Sequence, residues 1–174
     1  MATGDGVGRR RAVAAAGTSL FLALAPGVVA GVLPWWLTGW DAGEPAWAVG
    51  VRVLGGVLLV AAGVVILVAF ARFVVEGVGT PAPAAPTEKL VVGGLYRHVR
   101  NPMYLAVGTA IVGQGLLLSR PVLLAYAAVI TAANAAFVRW YEEPTLRRQF
   151  GGDYDTYRLA VPGWIPRLRP WDGA

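Results

Sequence analysis

Four stretches of this 174-residue chain carry no charged side chain, and each is long enough to cross a lipid bilayer. They cover residues 12–33, 53–71, 101–119 and 121–138, with 22, 19, 19 and 18 residues. At about 1.5 Å per residue each makes a helix of roughly 27–33 Å, matching the hydrocarbon thickness of a bilayer. A soluble domain would have to bury all four as core helices. At 56% apolar and 14% charged, the chain keeps too few amphipathic segments to wrap them. The expected fold is an all-α integral membrane protein with about four transmembrane helices.

The first stretch has a second reading. Arg9, Arg10 and Arg11 before an apolar run that contains Ala23-Leu24-Ala25 resemble a secretory signal. The run is longer than a signal core, however, and Gly27 and Gly31 give it a small-xxx-small packing face, so a retained helix is expected. With four spans, thirteen of the fifteen basic residues fall on one side, leaving only Arg52 and Arg120 on the other. The positive-inside rule then puts both termini in the cytoplasm. Trp35, Trp36, Trp40 and Trp47 surround the loop between the first two spans, as an outer aromatic belt would.

Composition also excludes chemistries. The net charge of +5 comes from bases that flank apolar spans, not from a separate basic face, so nucleic acid is not an expected partner. Without cysteine there is no disulfide or thiolate, and with a single histidine no zinc site is expected.

Residues 1–80 read as a membrane-anchor half with two transmembrane helices, 81–92 as a Pro/Ala-rich linker, and 93–174 as the half that carries chemistry. In that second half, Asn101 suits an N-cap and Pro102 the first helical position. Only Ser119, Arg120 and Pro121 separate the last two spans, which must therefore form a tight hairpin. The hairpin returns Arg139, Glu142 and Glu143 to the membrane depth of Arg100 and Asn101. Beyond it, Leu146 and Phe150 lie on one face of an interfacial amphipathic helix that Gly151-Gly152 ends, and Tyr154, Tyr157 and Val161 suggest a further short turn.

Two polar, aromatic blocks thus become neighbours, residues 93–104 and 141–166. Adjacent carboxylates at a helix C-terminus are disfavoured unless partnered, and acids at a membrane edge point to function. Glu142 and Glu143 are accordingly candidate ligand-binding groups. Gln114 and Asn134, inside the spans, are expected to hydrogen-bond between helices. His98 reads more readily as an interfacial side chain than as a base.

The run Gly94-x-Tyr96-x-x-x-Arg100-Asn101-Pro102-x-Tyr104 is followed, after the hairpin, by a second pattern. This is Glu142-Glu143-x-x-Leu146-x-x-x-Phe150-Gly151-x-x-Tyr154-x-x-Tyr157-x-x-x-Val161-Pro162. Together they resemble the isoprenylcysteine carboxyl methyltransferase and phospholipid methyltransferase superfamily, over residues 88–171. The resemblance implies S-adenosylmethionine as methyl donor, in a cytosol-facing pocket. Carried over residue by residue, it implies donor contacts from Gly94, Leu95, Tyr96, Pro102, Tyr104, Glu142 and Glu143, with Arg100 and Asn101 as catalytic residues. Two positions depart from the family pattern: Asn101 stands where histidine is common, and Gly163 where arginine is frequent. An amide cannot exchange a proton near neutral pH.

A carboxylate acceptor fits that loss, because it is already ionised at pH 7 and asks the protein only for alignment and water exclusion. The expected reaction is methylation of a small lipophilic acceptor at the cytoplasmic face, with membrane lipids as partners and no metal. Two other readings stay open: a sterol-type membrane reductase using a nicotinamide cofactor, and a non-enzymatic membrane subunit.

Overall fold

The structure, a computed structural model, describes residues 25–76 and 90–173, with the backbone alone over 72–76. Arg9 to Arg11, the first half of the first apolar run, Lys89 and most of the Pro/Ala linker lie outside the described residues. The described residues are helical with no strand. Helix α1 is Ala25–Thr38, α2 is Val49–Glu76, α3 is Pro102–Leu117, α4 is Pro121–Phe150 and α5 is Gly152–Ala160. A 3-10 turn, Gly94–Arg97, precedes α3.

Proline explains the irregular start of α1. Pro34 has no N–H for the carbonyls one turn before it, and the segment Val28–Val32 widens into a π-helix. The carbonyls of Val29 and Ala30 find partners on other helices instead. Tyr126 Oη donates to the first at 2.9 Å, and Gln114 Nε2 to the second at 2.8 Å. Gln114 also accepts from Trp40 Nε1 at 3.2 Å, so this residue is the interhelical link its position suggests.

Helices α2 and α3 form the most extensive contact of the molecule. They touch through their smallest residues. A Cβ at Gly113 would lie 2.8 Å from the Gly55 carbonyl oxygen, and one at Gly55 would lie 2.7 Å from the carbonyl of Gly113. Ala62, Ala106 and Ala110 continue the seam as a buried cluster. Backbone approach of this kind maximises dispersion contact where burial from water supplies no drive.

Helix α4 follows α3 after Leu118, Ser119 and Arg120 and packs back against it. The loop after α1 closes this turn: Gly43 N donates to Leu118 O, and Trp47 N to Ser119 Oγ. Arg52 and Arg120 also bond backbone carbonyls here, of Leu117 and Asp41.

Two helices, α2 and α4, are long and apolar enough to cross a membrane, yet only 22% and 17% of their apolar windows are buried. Core helices of a soluble domain would be mostly buried. The outward rows of α2, with Val60 and Leu67 more than 60% exposed, suit hydrocarbon rather than water. Helix α3 is shorter than its 19-residue uncharged run, because Asn101 sits at the N-cap and Leu118 and Ser119 belong to the turn.

Candidate active site

Helix α4 does not stop where its apolar run stops. It continues through a π-helical segment, Val138–Glu142, into Glu143–Phe150. The glutamate pair therefore lies within a continuous helix, not at the C-terminus the sequence suggests. The unfavourable helix-end electrostatics are absent, and Glu143 even occupies the first turn of the last α-helical segment.

The two acids have different partners. Glu143 accepts from Arg100 Nη1 at 2.7 Å and has Arg158 Nε at 3.4 Å, with its side chain 13% exposed. Glu142 accepts from Tyr104 Oη at 2.9 Å. No side-chain hydrogen bond reaches Glu142 Oε1 among the described residues. One carboxylate is saturated by arginine; its neighbour keeps an oxygen to offer.

Arg100 joins three elements. Besides Glu143 it donates to Tyr154 Oη at 3.1 Å and, through Nε, to Val161 O at 3.0 Å. Its backbone N–H bonds Pro162 O. The C-terminal segment continues along the first polar block as a strap. Arg167 N donates to His98 O and Trp171 N to Arg97 O, while Arg97 Nη2 pairs with Asp172 at 2.7 Å. His98 Nδ1 lies 2.9 Å from Arg167 O, an arrangement in which the ring N–H donates to the strap.

Asn101 is spent on the same strap. It occupies the N-cap position of α3 but makes no side-chain cap; its amide donates to Gly163 O at 3.1 Å instead. A Cβ at Gly163 would lie 3.2 Å from Arg100 Nη2, so the missing side chain there leaves room for the guanidinium. The two departures from the family pattern, Asn101 and Gly163, thus meet each other.

Beneath these polar groups lies a small core of Ala69, Val91, Tyr96, Tyr154, Tyr157 and Val161. Tyr157 Oη donates to Tyr96 O at 2.7 Å, and its ring tilts against Trp171 with centroids 5.5 Å apart. Burial pushes the hydroxyls of Tyr96, Tyr154 and Tyr157 above their usual range, so all three stay neutral. For Tyr96 the charges of Tyr157, Glu142 and Tyr104 add to the shift.

A groove of about 270 Å³ has Tyr104, the partner of Glu142, and Trp164 in its lining. Their rings lie 6.4 Å apart and tilted. Its volume is just below the usual range of small-molecule pockets. Of the site residues expected from sequence, Tyr104 lines this groove, Glu142 is bonded to Tyr104, and Arg100 and Glu143 stand paired behind them. Gly94 and Leu95 lie in the 3-10 turn and Pro102 is buried at the start of α3; none of the three lines the groove. Arg158 and Trp164 are participants that the motif spacing does not single out, whereas Tyr154 belongs to the second motif. Asn134, expected to bond another helix, has no such bond among the described residues and lines the groove instead.

No curated protein and no solved structure matches this chain. The family model for phospholipid methyltransferases matches residues 51–153, from the start of α2 to the start of α5. It takes in α2, so the likeness begins earlier than the two motifs alone suggest. More than half of the chain is covered, with both the Arg100–Tyr104 motif and the glutamate pair inside the match, and the protein belongs to the phospholipid methyltransferase family.

Proposed function

We propose that this protein is an integral-membrane methyltransferase of four spans that uses S-adenosylmethionine to methylate a lipophilic acceptor. Carboxylate acceptors are favoured, and the chemistry takes place at the cytoplasmic membrane face. The observation that carries this reading is the pair of ties, Tyr104 to Glu142 and Arg100 to Glu143, which gather both motifs at the head of one groove.

The residues fit the donor. When bound, S-adenosylmethionine supplies a methyl group on a positively charged sulfur. Glu142 offers a carboxylate with an unbonded oxygen to a cationic ligand, and Tyr104 fixes the orientation of that acid. Tyr104 and Trp164 present aromatic faces at the groove, suited to a planar base or an apolar chain. Glu143 is neutralised by Arg100 and Arg158 and serves as a brace. Arg100 and Asn101, expected from the resemblance to be catalytic, are assigned as positioning residues, because their polar atoms hold Glu143 and the strap. For an acceptor that is already ionised, alignment and water exclusion are what the protein contributes to rate.

Equilibrium binding of radiolabelled S-adenosylmethionine to the purified full chain in detergent micelles tests the reading. Saturable binding is expected, weakened at least about tenfold, or ~1.4 kcal/mol, by Glu142→Gln. No saturable binding, or unchanged affinity in that variant, refutes it.

A further inference from the structure

The groove runs from Tyr104 and Trp164 into the depth that lipid chains occupy, between α3, α4 and α2. Leu58, Leu105 and Val112 give it apolar walls suited to a hydrocarbon chain. Set into those walls are Thr109, Thr131 and Asn134. Among the described residues, none of the three has a side-chain hydrogen bond. Gly108 keeps one of them open: a Cβ there would lie 3.2 Å from Thr131 Oγ1. Polar side chains without partners are costly in hydrocarbon, and such groups mark a pathway or ligand by default.

Their depth is readable from the helices. Thr109 lies five residues beyond Tyr104 on α3, and Asn134 and Thr131 lie eight and eleven residues before Glu142 on α4. At 1.5 Å per residue the polar rung sits roughly 7–17 Å below the Tyr104–Glu142 pair. The groove is continuous with that pair through Tyr104, so its occupant and the acceptor are one molecule.

On the methyltransferase reading above, we infer that the acceptor is an amphiphile whose chain carries a hydrogen-bonding oxygen roughly 7–17 Å from the methylated group. A hydroxyl, a ketone or an ester carbonyl would meet Thr109, Thr131 and Asn134 alike. A plain alkyl or polyprenyl chain would leave all three unpaired, and the groove would discriminate against it by that loss.

The experiment compares two probes on the full chain in alkyl-maltoside micelles: stearic acid, and stearic acid hydroxylated at mid-chain. Tighter binding of the hydroxylated probe is expected, by about three- to tenfold, the worth of one or two hydrogen bonds. The double variant T131V/N134L should bring that ratio towards one, because stearic acid no longer leaves those two side chains unpaired and the hydroxylated probe loses its partners, with S-adenosylmethionine binding as the folding control. Equal binding of the two probes by the natural chain overturns the inference. So does a ratio that survives in the variant, or a variant that instead changes the oligomeric state, which would make the rung a contact between copies. Loss of donor binding by the natural chain, with the probe ratio intact, overturns only the methyltransferase reading and leaves the groove's selectivity standing.

Discussion

Where α2 crosses α3, backbone meets backbone at Gly55 and Gly113, and the seam runs on through alanines, with Arg52 tying only its end to Leu117 O. At the other end of α3 the chain is held by long cationic side chains. Arg100 alone bonds Glu143, Tyr154 and Val161, and Arg97 and Arg167 tie the strap. The difference follows the surroundings. In hydrocarbon a polar tie must be complete, and close packing of small residues is the economical alternative. Nearer the headgroups, water tolerates a partial network, so arginine can bridge distant carbonyls and acids. The polar end can therefore be edited one hydrogen bond at a time, whereas the apolar end admits only changes of size.

Arg100→Ala should show the polar end's greatest dependence. Glu143 would remain at 13% exposure with Arg158 alone, and stability should fall by about 3–5 kcal/mol, read by thermal unfolding in micelles. A negligible change would mean the strap holds without its arginine. Gly113→Val tests the apolar end. Its added carbons meet the Gly55 carbonyl and Leu59 backbone, at an expected cost of about 1–3 kcal/mol by the same measurement. Next comes the contrast between the acids. Glu143→Gln should lower the unfolding temperature, whereas Glu142→Gln should leave it almost unchanged and instead weaken donor binding; equal thermal effects would erase the distinction. The smallest effect is expected for Asn101→Ala, about 1 kcal/mol for its bond to Gly163 O. A loss of turnover far beyond that, with the strap intact by proteolysis, would return Asn101 to a catalytic role.

Much of this architecture can be read from the residues. A single residue, Arg120, between two uncharged runs leaves the chain no route except back, and that return brings Arg100 to Glu143. Gln114, polar within an apolar run, needs a partner, and Pro34 explains why a carbonyl of α1 waits for it. The strap could not be read, because its ties are mostly to backbone carbonyls, which every residue possesses. Arg158 was hidden for another reason: it reaches Glu143 only once α5 turns back at Gly151, where φ is 54°. Asn134 misled because a bond between helices and a bond to a guest demand the same side chain.

The π-helical segment Val138–Glu142 carries one more consequence. Each residue added to or removed from an α-helix swings everything beyond it by about 100°, and a π turn is such an addition absorbed locally. It works as an indexing notch: the groove wall upstream keeps its heading while both acids are dialled to a new one. Which glutamate faces arginine and which faces tyrosine is thus a matter of angular phase, and deleting one residue within the notch would re-aim both together.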